Sequence, residues 1–382
     1  MAIKVGIVGM NGIGNQHADC HSKDELSDLR AVCDIVKERA DAAAERFGVK
    51  AYYNLADMIK NEDLDMVDVT TGGYENGSWH FQPAMQALDA GKHVLVEKPI
   101  CNNIDEARQL VKFAADKKLY LGCNLNHYFT SASEYARKLI DEDKIGEQIY
   151  CLFKMGFNGG EFTYRPDKSP RANGWPYFHM KAFLTHPFSV MRYFCGDITH
   201  IQTFSTTPGF RRTKGDVMLS VNAINVRFRN GTVGHLLSQR GDCTFGLGGW
   251  WSCELAGSKG TFVIENCVEK TMYWAAPQPG KALGTMNQAG NAPDDVFESG
   301  LSDFSATFPN RIHCFVEDLT NNVPRESIRA SGRDALAVLE YTWAAMESYE
   351  NGGEMMRVAT LPPIQGDPAD QRGLYNKGYN NL

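Results

Sequence analysis

The chain has 382 residues, 43% hydrophobic and 22% charged, with a formal net charge of −7. That length accommodates two domains with full cores, and the negative balance excludes functions built on clustered positive charge, such as nucleic-acid or membrane-surface binding. No apolar run approaches the roughly 20 residues that span a bilayer, and no basic leader with a cleavage site precedes the first strand, so a cytoplasmic protein is expected.

In chain order, the first 125 residues alternate strand and helix patterns. Ile3–Val8 reads as a buried strand and Asn15–Lys23 as the start of a helix. Leu29–Asp34 is a second strand, and the helical run that follows it is stopped by Gly48. Ala51–Tyr53 is a short strand, Leu55–Lys60 a short helix, and Met66–Thr70 a fourth strand ending at Thr71-Gly72-Gly73. A helix from about Phe81 to Ala90 stops at Gly91, and His93–Glu97 is a fifth strand closed by Pro99. Asp105–Lys118 has apolar residues at helical spacing, and Leu119–Asn124 is a sixth strand. This rhythm predicts a doubly wound parallel sheet, because parallel neighbours require crossover helices.

Past residue 145 the segments Gln148–Phe157, Ile198–Thr206, Met218–Arg240, Trp250–Cys267 and Lys270–Ala276 are strand-rich with turn signals between them. Asn230-Gly231 is a strong hairpin signal, and Ser258-Lys259-Gly260 looks like another. Helices are expected near residues 131–141, 187–195 and 331–350. Residues 276–303 read as a long loop, a rim or lid, and the tail after Pro362 is expected to wrap another surface. The predicted fold class is α/β: an N-terminal Rossmann doubly wound parallel sheet (1–125) plus a C-terminal α+β domain (126–382) with a large, mostly antiparallel open sheet. An open sheet with one uncovered face predicts a homodimer or homotetramer.

The ten cysteines are spread evenly with no C-x-x-C pair, which reads as buried reduced thiols. The ten histidines are likewise scattered, with no His-x-x-x-His read on a predicted helix. No metal site is predicted.

The chemistry begins at "VGIVGMNGIG". Dinucleotide-binding loops want Gly-x-Gly-x-x-Gly between a strand and a helix, whose free N–H groups and positive end receive a pyrophosphate. Gly9 and Gly14 fill the first and third places, Asn11 stands at the second with Gly12 and Ile13 beside it, and asparagine tolerates left-handed backbone angles. Asp34, twenty residues after Gly14 at the end of the second strand, suits the adenosine ribose hydroxyls. No arginine follows it at once, so NAD is preferred over NADP; the alternative is a surface Asp capping the next helix.

His80, Ala84, Ala87-Leu88, Ala90-Gly91-Lys92-His93 and Glu97-Lys98-Pro99, with "LGCNLNHYF", "AGSKGTF" and the 331–348 helix, resemble the glucose–fructose oxidoreductase / inositol dehydrogenase (Gfo/Idh/MocA) family over nearly the whole chain. The resemblance implies oxidation or reduction of sugars, inositols and related polyols with NAD or NADP. It puts the family lysine at Lys98, where an ammonium at a parallel strand's C-terminal end steadies the reacting oxygen. It also implies that Thr71, His80, Glu97, Lys98 and Asn124 border the cofactor; Glu97 is open to pairing with Lys98 or to shaping the nicotinamide pocket.

The family's Asp-x-x-x-His-x-x-Asp signature falls on Ala182, His186 and Ser189, so both aspartates are absent. Pro187 suits a first helical turn and would make His186 its N-cap, favouring a neutral imidazole that serves as general base. Lys181 and His179 are candidates to replace the missing hydrogen bonds, and Tyr128 and Trp175 to touch substrate. The expected activity is NAD-dependent oxidation of a secondary hydroxyl of a sugar, glycoside or cyclitol; C3 oxidation of a glycoside with NAD recycled in place is one form of it. The alternatives are a catalytically impaired NAD-binding sensor and a dehydrogenase for a non-sugar substrate on the same fold.

Overall fold

A computed structural model describes residues 2–72, 78–157, 176–213, 215–240, 250–276, 292–325 and 327–359. Strands β1 (Ile3–Val8), β2 (Ser27–Cys33), β3 (Lys50–Tyr52), β4 (Met66–Val69), β5 (His93–Val96) and β6 (Leu121–Cys123) form a six-stranded sheet in the order β3-β2-β1-β4-β5-β6. Every pairing is parallel. The crossovers are α1 (Gly12–Lys23), α2 (Lys37–Phe47), α3 (Leu55–Asn61), α4 (Phe81–Asp89) and α5 (Ile104–Lys117). The strand order reverses between β1 and β4, where open α/β sheets bind ligands.

Helix ends follow local chemistry. Gly48 closes α2 at φ +67°, the Asn54 side chain accepts from Asp57 N at α3, and Asn103 accepts from Asp105 N at α5. Val5, Ile7, Val67, Val94 and Leu95 are fully buried, as strands covered on both faces require.

After α6 (Ser131–Asp141) and β7 (Gln148–Phe157) come α7 (Phe178–Phe183), α8 (Thr185–Cys195), β8 (Ile198–Thr206), the short α9 (Gly209–Arg212), β9 (Val221–Phe228) and β10 (Val233–Arg240). Then follow β11 (Trp251–Gly257), β12 (Gly260–Glu265), β13 (Lys270–Ala275), β14 (Asp295–Glu298), α10 (Thr307–Thr320), α11 (Gly332–Glu350) and β15 (Met356–Arg357). Nine of these strands form a second sheet, β14-β13-β12-β11-β7-β10-β9-β8-β15, antiparallel except for the β7–β10 pair. Both expected hairpins are present, β9–β10 and β11–β12.

Three expectations change. The 276–303 stretch is not all loop, since Asp295–Glu298 pairs with β13; residues 277–291, like the tail after Pro362, lie outside the described residues. Helices α7 and α10 were not expected. Helix α10 returns to the first sheet, where Phe308, Ile312, Phe315, Val316 and Leu319 share a core with Val5, Ile7 and Ala18. Among the described residues nine cysteines are free, eight of them buried; Cys243 is outside that set. No described helix is long and apolar enough to cross a membrane.

Candidate active site

The turn from β1 into α1 is built around two glycines. Gly9 has φ +103°, and a Cβ on Gly14 would sit 2.0 Å from the Gly9 carbonyl oxygen. Asn11 makes no use of its tolerance for left-handed angles: it is the N-cap of α1 at φ −89°, ψ −165°, angles open to any residue. Its carbonyl accepts from Asn15 N at 3.0 Å.

Asp34 follows β2 with its carboxylate pinned, Oδ2 accepting from Met10 N at 2.7 Å and Oδ1 from Val36 N at 2.8 Å. One clamp thus ties the loop to the acid. Gly9, Asn11, Asp34 and Thr71 line a cavity of about 760 Å³ beside Arg39 and Trp79. Gly12 and Ile13 line the adjoining cleft with Trp250 and Phe304. A Cβ on Gly12 would meet nothing within 4 Å, so there is room for a phosphate at the α1 N-terminus. These residues fit a dinucleotide. Arg39 was not foreseen, because it reaches the cavity from the first turn of α2, five residues after the acid.

Lys98 lies just past β5. Its ammonium lies over the face of Phe183, 5.3 Å from the ring centre. Burial, with Arg240 adding to it, lowers its proton affinity against the pull of Glu97. The His186 ring also neighbours Phe183, at 6.2 Å between centroids. Burial, His127 and Lys98 hold His186 well below the usual histidine range, so it is neutral near pH 7.

The route to that neutral state differs from expectation. His186 is not an N-cap: it is the second residue of α8, and backbone bonds Leu184 N to Met180 O and Phe188 N to Leu184 O run past it. The shift follows first from burial, with the neighbouring His127 ring and the Lys98 ammonium adding to it. Its Nδ1 is buried without a hydrogen-bond partner, as Ala182 offers none.

The supporting residues also differ. Tyr128 is a core residue stacked on Tyr193 at 4.5 Å. Its neighbour His127, unforeseen, stacks on His186 at 3.7 Å and 20°. The Trp251 indole N–H donates to His127 Nδ1 at 2.9 Å, which fixes the proton of the neutral ring on Nε2. His179 bonds Ser238 Oγ at 2.8 Å rather than His186, and the Lys181 ammonium lies over the Trp343 ring at 5.1 Å. Trp175 lies outside the described residues. His80 is buried behind the cavity, its Nδ1 donating to the Pro99 carbonyl at 2.7 Å, so it braces the turn after Lys98.

Glu97 and Asn124 enter a buried polar network. Glu97 Oε1 faces His17 Nε2 at 3.1 Å and accepts from the Asn124 amide, while Oε2 accepts from Lys98 N at 3.1 Å. His17 Nδ1 meets Asp68 Oδ2 at 2.8 Å, and His21 Nε2 meets the same oxygen at 3.1 Å. His17 and His21 are thus an i,i+4 pair on α1, against the expectation that no such pair lies on a helix. They face carboxylates and a serine, and among the described residues no group of three or more ligating side chains is arranged for a metal.

Residues 3–125 match the family model described as "Oxidoreductase family, NAD-binding Rossmann fold". That segment, the first domain, carries the Gfo/Idh/MocA oxidoreductase family match. The chain is 24% identical to levoglucosan dehydrogenase of Pseudarthrobacter phenanthrenivorans, over 69% of this chain and 73% of that protein. It is 32% identical to inositol 2-dehydrogenase/D-chiro-inositol 3-dehydrogenase of Lactiplantibacillus plantarum, over 38% and 42%. With an uncharacterized oxidoreductase of Streptococcus pneumoniae it shares 26% identity over 39% of each. In the last two matches the chain spans less than half of the relative's length.

The crystal structure of levoglucosan dehydrogenase in complex with NADH and levoglucosan has TM-score 0.78 at 20% identity, covering 94% of this chain and 100% of that one. Scyllo-inositol dehydrogenase from Lactobacillus casei with bound NAD(H) and scyllo-inositol has TM-score 0.72 at 22% identity, over 94% and 100%. At these identities the likeness is one of fold. What the family match gives is an NAD-binding Rossmann fold of the oxidoreductase type over residues 3–125.

Proposed function

We propose that this protein is an NAD-dependent dehydrogenase acting on a secondary hydroxyl of a sugar, glycoside or cyclitol. The observation that carries the reading is the meeting of Lys98 and His186 at Phe183. An ammonium lying over an aromatic face shares that ring with a neutral imidazole. Lys98 donates a hydrogen bond to the substrate oxygen and stabilises the negative charge that grows on it. His186 takes the hydroxyl proton on Nε2, the nitrogen not sealed in the protein. Bound NAD supplies the hydride acceptor. Residues 1–125 hold the cofactor in this reading, and residues 126–382 the substrate and the subunit interface. The free cysteines of the described residues support a reducing, cytoplasmic setting.

Purified protein is first scanned for NAD(H) absorbance, then assayed with sugars, cyclitols and aryl glycosides. The wild type should reduce NAD with at least one class, and Lys98→Ala should lower turnover at least about 100-fold. Retained turnover in that variant overturns the mechanism. Turnover of a glycoside without release of NADH would identify the form in which NAD is recycled during C3 oxidation. The buried Ala182 where the family has an aspartate favours a second reading, a sensor that binds NAD without turnover. Tight NAD binding with no oxidation of any compound would support it.

A further inference from the structure

The network around His17 is costly by its position. His17, Asp68 and Glu97 are buried in the nucleotide-binding domain, where apolar side chains of similar volume fill the space at least as stably. Each His17 nitrogen faces a carboxylate, with the Asn124 amide nitrogen also 3.1 Å from Nε2, and an imidazolium is the form that donates to both carboxylates. Burial opposes that charge, but Asp68 and Glu97 outweigh it and bring the His17 pKa to about 10. Burial likewise opposes the Glu97 anion, and His17, Lys98 and Asn124 hold its pKa below the ordinary carboxylate value.

Both oxygens of Glu97 are therefore engaged, one by His17 and Asn124, the other by a backbone N–H. The Lys98 ammonium, on the very next residue, makes no ion pair with it. Lys98 otherwise faces Cys123 at β6, Arg240 on β10, and His127 and His186, so among the described residues Glu97 is the one carboxylate that acts on it. His17 is enclosed by Asp68 on β4, Glu97, Asn124 and the Phe308 ring of α10. In a low-dielectric site a loose carboxylate beside an ammonium would close on it. An ammonium so engaged would have less to give a substrate oxygen.

We propose that His17, clamped between Asp68 and Glu97, is a positioning residue that withholds the Glu97 carboxylate from the Lys98 ammonium, leaving that ammonium for the substrate's reacting oxygen. The inference deepens the dehydrogenase reading above and rests on it for the identity of the reaction. Asp68→Asn removes the charge that keeps His17 protonated, which frees Glu97. Glu97→Gln in the same chain removes the charge that would then close on Lys98.

The NAD-loaded full chain is labelled competitively with acetic anhydride across pH and read at Lys98 by mass spectrometry, alongside kcat, KM and NAD affinity. In Asp68→Asn the Lys98 titration should move up by about one pH unit and kcat fall about tenfold, with NAD affinity unchanged. In the Asp68→Asn/Glu97→Gln double variant the Lys98 titration should fall back to the wild-type position or below it and kcat should rise again, which a merely structural network would not do. His17→Gln gives the same comparison if Asp68→Asn fails to fold. An unmoved Lys98 titration, or a double variant worse than the single one, overturns the inference. A wild type inactive on every polyol overturns the dehydrogenase reading instead, while the labelling still decides whether His17 controls Glu97.

Discussion

Gly9 and Gly14 are irreplaceable in the cofactor loop, and Asn11 is not in their class. Gly9 needs its positive φ, and Gly14 has the Gly9 carbonyl where a Cβ would go. Asn11 sits at an N-cap, where Asn and Gly differ by only a few tenths of a kcal/mol. Asn11→Gly should therefore leave the NAD dissociation constant within about twofold. Gly14→Ala forces backbone apart and should weaken NAD at least about tenfold, since overpacking costs about 1–3 kcal/mol. Tryptophan-fluorescence titration with NADH measures both, and a Gly14→Ala protein that binds normally would refute the steric account. Gly9 and Asp34, which line one cavity, were readable from spacing along one loop and strand end, whereas Lys98 and His186 came only through the family resemblance. The His17 clamp was not readable: its partners lie 51 and 80 residues away, brought together only when β1, β4 and β5 pair. Tyr128 was chosen over His127 because a three-residue 3-10 turn decides which side chain faces the site, and sequence does not reveal its phase.

Among the elements, the helices that join the two halves carry a second buried network. Ser331 and Asp334 form a reciprocal cap at the start of α11. Asp334 also pairs with Arg192 of α8, whose Nε meets Asp197 at 2.9 Å. Ser331→Ala removes one capping bond and should cost about 1 kcal/mol. Asp334→Ala removes a cap and one counter-ion of a buried arginine, so it should cost about 3 kcal/mol or more. Urea unfolding of the two variants tests the order, and equal losses would mean that Asp334 acts only as a cap. The Rossmann elements were readable because helix and strand periods alternate with glycine or asparagine at their ends. Helix α10 was not read, although Phe308, Ile312, Phe315 and Leu319 fall on one helical face. It follows a long stretch rich in Gly, Pro and Asn, and Pro309 in its first turn looks like a breaker when it is a permitted helix start.

For the whole molecule, the decisive feature is the nine-stranded sheet, whose register separates two unlike faces. Phe153, Cys253, Leu255, Phe262 and Ile224 point inward and are buried. On the other face the pairings align Val296, Met272, Val263, Glu254, Leu152, His235, Asn225 and Gln202 in one row across seven strand boundaries. Leu152 and Val296 in that row are 43% exposed, and Phe204 and Val233 nearby are 55% exposed. Apolar side chains arrayed on a broad sheet face, mixed with Glu254, His235 and Asn225, have the composition of a subunit interface rather than of a solvated surface. Alternation along each strand made the two-faced sheet legible, but which strands adjoin, and hence the row itself, appears only with the pairing. We expect sedimentation to give two or four times the chain mass. Leu152→Glu and Phe204→Glu place charges on that face, at its central strand and near its β15 edge, without touching the buried one. Each should shift the protein toward monomer at micromolar concentration while leaving NADH binding within about twofold, because a rim-to-core charge is costly only where water is excluded. A wild type that sediments as a monomer, or variants that keep the wild-type mass, would show that copies do not meet through this face.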